Sequence, residues 1–272
     1  MAAPAHQPSL KVCRPDLPYH GLAMAPLIRS AKLIVFDGDD TLWKTQELYE
    51  AIKRKFAGLM REWGLSESNP IPLLERIDSQ AVESHGFTVR RFEDSMLNVY
   101  HLLSQQRGRP TREPNENLIR GLTRPLEDGY ELYPDSLSVL TILCRDFKLV
   151  LATKGQSDLQ NTKIERLGLS RFFSAIYVLD QKTSREYEQI LEDCVTAPEL
   201  ACAVGNSVRS DINPATESGM SAILVRRLGW RYEREHIHHP ERVWAVSSLT
   251  EAADILIEMR TRGRSPANSP DC

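Results

Sequence analysis

Four short polar segments hold the residues of this chain that could do chemistry. Asp37, Asp39 and Thr41 stand in the run Phe36-Asp37-Gly38-Asp39-Asp40-Thr41. Thr153, Lys154 and Gly155 follow an apolar run, and Lys182 follows another. Gly205, Asn206 and Ser207 stand shortly before Asp211. Brought together, they would supply carboxylates, an amide, hydroxyls and an ammonium. Phosphoryl transfer asks for that mixture. An anionic nucleophile reaches an anionic phosphate only with a cation between them. A carboxylate nucleophile splits one hard step into two. A second carboxyl can give a proton to the leaving alkoxide and then activate water. A hydroxyl and loop N–H groups can hold the equatorial oxygens, and a lysine offsets the charge that gathers there.

Taken singly, each segment has an ordinary reading. Asp-Gly-Asp suits a turn after a strand. A threonine often ends a strand, a lone lysine is most often a solvated charge, and Asp211 could simply start a helix. The weight is joint, and it depends on elements that bring the segments to one place. Ala31–Phe36 (AKLIVF) reads as a buried strand ending at Asp37. Similar runs stand at Phe147–Ala152, Ala175–Leu179, Leu200–Val204 and Ser221–Val225, with a weaker one at Arg242–Val246. Helical spacing separates them: Ser136–Cys144, Asp158–Leu167 with Gly168 as a C-cap, Ser184–Asp193, Asp211–Ser218 and Leu249–Met259. Strands alternating with helices predict an α/β fold, a doubly wound parallel sheet joined by right-handed crossovers. Such sheets bind ligands at the C-terminal ends of their strands, where all four polar segments would meet.

The interval between Phe36 and Phe147 breaks the rhythm, because a crossover needs only ~10–12 residues. Leu48, Ile52, Phe56, Leu59, Met60 and Trp63 keep helical spacing there, as do Val89, Phe92, Met96, Val99, Tyr100 and Leu103. This predicts a small helical cap, residues 45–130, over the mouth of the sheet. The catalytic core would comprise residues 30–44 and 131–260, with a disordered tail over 1–29 and a flexible one over 261–272.

Composition narrows the partners. The chain has 272 residues, 41% hydrophobic and 26% charged, with a formal net charge of −3. A soluble globular protein is expected. No long basic run is present, which disfavours nucleic acid as the main partner. No apolar stretch is long enough to span a membrane, and no signal pattern opens the chain, so the cytoplasm is the expected compartment. The five cysteines are widely spaced, and buried free thiols are expected for Cys144, Cys194 and Cys202. Either a monomer or a homodimer is compatible with all of this.

The four segments also resemble the motifs of the haloacid dehalogenase superfamily. Phe36-Asp37-Gly38-Asp39-Asp40-Thr41-Leu42-Trp43 is similar to its first motif, D-x-D-x-T. Thr153 after a strand resembles the second, and Lys182, with Tyr187 five residues on, resembles the third. Gly205-Asn206-Ser207-Val208-Arg209-Ser210-Asp211 resembles the fourth, of G-D-x-x-x-x-D type. They occur in the family's order, and a helical insert after the first motif is a common cap position. The resemblance implies a Rossmannoid core and a magnesium-dependent hydrolase of phosphate monoesters acting on a small phosphorylated metabolite. Asp37 would be nucleophile and magnesium ligand. Asp39 would be general acid and base, lending the metal its backbone carbonyl. Gly38, Thr153, Lys154 and Lys182 would hold the phosphoryl group. Asn206 and Asp211 would complete the magnesium shell.

Asp39 argues against a 2-haloacid dehalogenase, whose leaving group needs no proton. Asn206 replaces a commoner aspartate. An amide oxygen can still ligate a hard cation, and whether it or Asp211 does so directly stays open. A protein that binds a phosphorylated ligand with little or no hydrolysis is the reading that Asn206 alone would favour. Around this set, His236, His238 and His239 read as a polar surface loop. Arg226, Arg227, Arg231 and Arg234 read as a solvated face. His85, Arg90 and Arg91 are candidate substrate contacts in the cap, and Trp43 is expected to pack at its hinge.

Overall fold

A computed structural model of the protein describes residues 31–262. The expected tail of residues 1–29 lies outside the described residues, as do residues 263–272. Six parallel strands form the central sheet: β1 (Leu33–Phe36), β4 (Lys148–Lys154), β5 (Ala175–Leu179), β6 (Ala201–Gly205), β7 (Ser221–Val225) and β8 (Val243–Val246). Their order is β5-β4-β1-β6-β7-β8. The chain winds outward from β1 to one edge, returns, and winds to the other. That reversal opens a crevice at the C-terminal ends of β1, β4 and β6.

These segments are strands because their apolar, often branched residues have something to bury on both faces. Ile34, Phe36, Leu149, Leu151, Cys202, Val204 and Ile223 point to one side. There they meet α6 (Ser136–Leu143) and α10 (Leu249–Arg262). Leu33, Val35, Val150, Ala152, Ala201, Ala203 and Ala222 point to the other, against α8 (Ser184–Asp193) and α9 (Asn213–Glu217). Each large apolar side chain so buried contributes roughly 1.5–3 kcal/mol. The helix α7 (Ser157–Arg166) follows β4 directly and carries polar residues to the crevice.

Between β1 and β4 the chain forms five helices: α1 (Gln46–Glu62), α2 (Ile71–His85), α3 (Val89–Gln106), α4 (Glu113–Gly121) and α5 (Pro125–Asp128). Ile52, Phe56, Met60, Leu74, Phe92, Met96 and Tyr100 give this insert a buried cluster of its own. Thr88 caps α3 by accepting the amide of Arg91 at 3.0 Å. The chain leaves the sheet through β2 (Trp43–Lys44) and returns through β3 (Glu131–Leu132). These pair antiparallel, Trp43 with Leu132 and Lys44 with Glu131.

Some local expectations change. Cys144 is exposed, because it ends α6 on its outer side, whereas Cys194 and Cys202 are buried. The expected helix over 211–218 begins earlier, as a π-helical turn Val208–Ile212, before α9 takes over. Arg227 is not solvated: its guanidinium lies 3.6 Å from the centre of the Tyr133 ring and pairs with Asp135 at 3.0 Å. No helix among the described residues is long and apolar enough to cross a membrane.

Candidate active site

The loop after β1 is built tightly. The amide of Asp37 donates to Val204 O at 2.9 Å, fixing the loop's start against β6. The carbonyl of Gly38 then accepts the amides of Thr41, Leu42 and Trp43. A Cβ at Gly38 would stand 2.1 Å from the Trp43 ring, so only glycine lets the indole close over the loop. Asp40 adopts φ 59°, a left-handed conformation that aspartate tolerates. Its carboxylate accepts the amides of Thr45 and Gln46 at 2.9 and 2.7 Å, which starts α1. Burial pushes the Asp40 carboxyl up to about 7.

Lys182 joins the ends of two strands. Its Nζ donates to Asp37 Oδ1 at 2.5 Å and to Asp211 Oδ1 at 2.8 Å. Thr183 and Glu186 place it, through a capping box at the start of α8. The second oxygen of Asp211 accepts the amide of Ser207 at 2.9 Å. A Cβ on Gly205 would fall 2.3 Å from that carboxylate, which accounts for the glycine. Thr41 Oγ1 lies 2.8 Å from Asp37 Oδ2 and 3.3 Å from Asn206 Oδ1, close enough to donate to either.

The electrostatics are unbalanced in a telling way. Burial raises the Asp37 carboxyl to about 7, and Asp211 adds to the rise while Lys182 opposes it. Burial alone would lower the Lys182 ammonium, but Asp211 and Asp37 carry it well above the ordinary lysine range. One ammonium therefore does not fully offset the carboxylates around it. Hard oxygen donors converge there: the carboxylates of Asp37 and Asp211 and the amide oxygen of Asn206. Among the described residues no group of three or more His, Cys, Asp or Glu is placed to hold a metal. The set that fits a hard divalent cation is instead two carboxylates with an amide oxygen, in a site short of positive charge.

Thr153 is the last residue but one of β4, is fully buried, and its Oγ1 has no hydrogen-bond partner. A buried hydroxyl without a partner is uncommon. Lys154 lines the same pocket and is already engaged. Its Nζ donates to Ser210 Oγ at 2.6 Å and Glu233 Oε1 at 2.8 Å, and lies 4.0 Å from the centre of the Phe87 ring.

Asp39 is the most heavily held of the carboxylates. Oδ1 accepts Trp43 Nε1 at 2.8 Å, Lys163 Nζ at 2.7 Å and the Thr45 hydroxyl. Oδ2 accepts Gln160 Nε2 at 2.6 Å. Burial would raise this carboxyl, but Lys163 and the other donors bring it below the usual range.

Sequence reasoning missed three of these partners. Gln160 and Lys163 are both buried and three residues apart on α7, so they share one face. Polar residues at such a spacing, on the inner side of a helix that follows Thr153, were the available signal. Glu233 accepts Lys154 and the hydroxyls of Ser207 and Ser210, and it ends a single 3-10 turn, Arg231–Glu233, too short to show a period. These donors hold its carboxyl low against the effect of burial. Of the expected cap contacts, Arg91 lines the pocket, Arg90 is exposed and paired with Asp94, and His85 lies in an outer cleft. His238 Nδ1 stands 2.8 Å from Glu217, outside the inner pocket.

Comparison with known proteins agrees with this architecture. The family model described as haloacid dehalogenase-like hydrolase matches residues 31–219. Glyceraldehyde 3-phosphate phosphatase of Methanothermobacter thermautotrophicus is 27% identical over 234 residues, spanning 83% of this chain and 99% of its own. Its counterpart in Methanopyrus kandleri is 26% identical over 206 residues, covering 72% and 84%. Among solved structures, a haloacid dehalogenase-like family hydrolase from Xanthomonas campestris superimposes with a TM-score of 0.71 at 24% identity, over 86% of this chain and 98% of that one. The magnesium-bound hydrolase YfnB of Bacillus subtilis gives a TM-score of 0.56 at 17% identity, over 84% and 99%.

Proposed function

The chain belongs to the haloacid dehalogenase-like hydrolases, and on that premise we propose that it is a magnesium-dependent phosphatase of a small phosphorylated metabolite. The observation that carries the reading is the convergence of Asp37 and Asp211 on Lys182, with Thr41 on the second oxygen of Asp37. Asp37 attacks phosphorus, the ester P–O bond breaks, and the phosphoryl group becomes an aspartyl-phosphate. Lys182 and the Thr153 hydroxyl receive the equatorial oxygens. Bound between Asp37, Asp211, Asn206 and the Asp39 carbonyl, magnesium would neutralise the approach of two anions.

Asp39 serves the leaving group. It gives a proton to the departing alkoxide and takes one from the water that then attacks phosphorus. That water displaces Asp37, releasing inorganic phosphate and restoring the free carboxylate. The lowered Asp39 carboxyl suits the base half of this cycle. The acid half requires that its contact with Lys163 loosen. The helical insert covers the crevice as a cap, and Phe87, Val89 and Arg91 bring its surface to the pocket. The presence of Asp39 also separates this reading from dehalogenation.

The test is release of phosphate from p-nitrophenyl phosphate. Asp37→Asn and chelation of magnesium should each abolish it. A folded Asp37→Asn protein that turns over normally would refute the assignment of the nucleophile.

A further inference from the structure

The walls of the inner pocket carry five cations, Lys53, Arg91, Lys154, Lys163 and Lys182. None of them is uncommitted. Lys182 serves Asp37 and Asp211, Lys163 serves Asp39, and Lys154 serves Glu233. On the insert side, Lys53 pairs with Glu50 and Glu75, each at 2.9 Å. Arg91 is held more completely still. Nε and Nη2 donate to the two oxygens of Asp78 at 2.9 and 3.2 Å, and Nη1 donates to Gly86 O at 2.6 Å. Its guanidinium also lies 5.3 Å from the centre of the Trp230 ring. The side chains of Arg91 and Asp78 are only 4% and 8% exposed.

Beyond the reacting end, then, an anionic substituent would meet only cations whose charge is already paired with a carboxylate. Burying an unpaired carboxylate or second phosphate there is costly. Arg209 is exposed on the outer cleft, over Tyr232, and does not line this pocket.

A second observation points the same way. Gln160 lines the pocket at 3% exposure, and its Oε1 has no partner. The amide cannot be turned around, because Nε2 must face the acceptors Asp39 Oδ2 and Lys154 O, at 2.6 and 2.9 Å. A lone buried acceptor asks for a donor and repels an anion. It sits beside Asp39, so the group it receives lies near the scissile ester.

We propose that the pocket selects phosphate monoesters whose organic part is uncharged and carries a hydroxyl, which donates to Gln160 Oε1, while Asp78 keeps Arg91 from accepting an anionic substituent. This rests on the phosphatase reading and names its substrate class. Asp78 is a specificity-determining residue that acts through Arg91. The selectivity is negative as well as positive: a cation is present but already occupied.

The experiment compares glycerol 3-phosphate with 3-phosphoglycerate, which both carry a hydroxyl next to the phosphorylated carbon and differ in the charged carboxylate. With magnesium present, the wild-type kcat/KM should favour glycerol 3-phosphate by roughly 10-fold or more. In Asp78→Asn the freed Arg91 should narrow that ratio by about 10-fold, mainly through KM for 3-phosphoglycerate. Equal wild-type efficiency on the two esters would overturn the proposal, and so would an unchanged ratio in folded Asp78→Asn. If that variant does not fold, the wild-type comparison decides alone. Hydrolysis of p-nitrophenyl phosphate separates the failures. Turnover there with no preference between the esters sinks only the substrate class, whereas no turnover on any of the three sinks the phosphatase reading beneath it.

Discussion

Lys163 Nζ stands 2.7 Å from Asp39 Oδ1, and this pair lies inside the pocket with the lysine side chain only 3% exposed. The contact ties the helix after β4 to the loop after β1. It also lowers the proton affinity of the Asp39 carboxyl against the effect of burial.

Replacing Lys163 by methionine should therefore let the Asp39 carboxyl rise. A carboxyl of higher pKa keeps its proton to higher pH, so the range over which Asp39 can act as an acid extends upward. The alkaline limb of kcat/KM should move up by about one pH unit. Lys163→Arg, which keeps the charge, should leave the profile in place. A pH series of kcat/KM on an alkyl phosphate checks both. An unmoved limb in Lys163→Met would remove Lys163 from this role.

Thr153 offers a case where stability and activity should part. Its Oγ1 is buried without a partner, so the hydroxyl costs the folded protein about 1–3 kcal/mol of desolvation. Thr153→Val keeps the shape and removes that cost, so the metal-free protein should become more resistant to urea. Activity should fall by about 10²–10³ through loss of one oxyanion donor. Thr153→Ser should retain most of it. Denaturation and phosphate release, measured on the same preparations, test the pair.

Much of the frame could be read in advance, and the reasons are local. The strand Ala175–Leu179 and the helix Ser184–Asp193 have the expected bounds, because a branched apolar run and a Thr183–Glu186 capping box are signals carried within a few residues. Asp37, Lys182 and Asp211 were legible for a different reason. Each follows a strand, and strand order in a parallel sheet brings strand ends together. What surrounds Asp39 was hidden, because Gln160 and Lys163 approach it from a helix whose rotation no spacing announces. Glu233 was hidden because the three-residue turn that carries it is too short to show a period. Arg227 looked solvated because sequence does not show Tyr133 and Asp135 arriving beside it.

Glu233 predicts a pH dependence of stability. Its carboxyl is held low in the folded protein by Lys154, Ser207 and Ser210. A depressed carboxyl contributes stability above its unfolded value and loses it as pH falls through the folded one. Glu233→Gln should lower Tm at pH 7, by the equivalent of about 1–3 kcal/mol. The gap from wild type should narrow as pH falls below the unfolded glutamate value of about 4.3 and through the lower folded one. Thermal melts across that range would show it, and a gap independent of pH would contradict the assignment.

Val195 is the one non-glycine residue besides Asp40 with positive φ among the described residues, at 51°. It is 92% exposed and follows α8, where its amide and that of Thr196 close the helix end onto Glu192 O and Leu191 O. A branched side chain there is strained and packs against little. Val195→Gly should stabilise the protein by ~0.5–1 kcal/mol, read from urea midpoints, with phosphate release unchanged.

The two-residue ribbon of Trp43–Lys44 with Glu131–Leu132 is where the chain passes out to the helical insert and comes back. The indole in that ribbon is itself a donor to Asp39, and Thr45, one residue past the ribbon, is another. Any swing of the insert about this narrow neck must drag on the carboxylate. On the proposed mechanism, settling of the insert and readiness of Asp39 to give its proton are geared together, so a substrate too large to let the insert settle should leave its own leaving group without a proton.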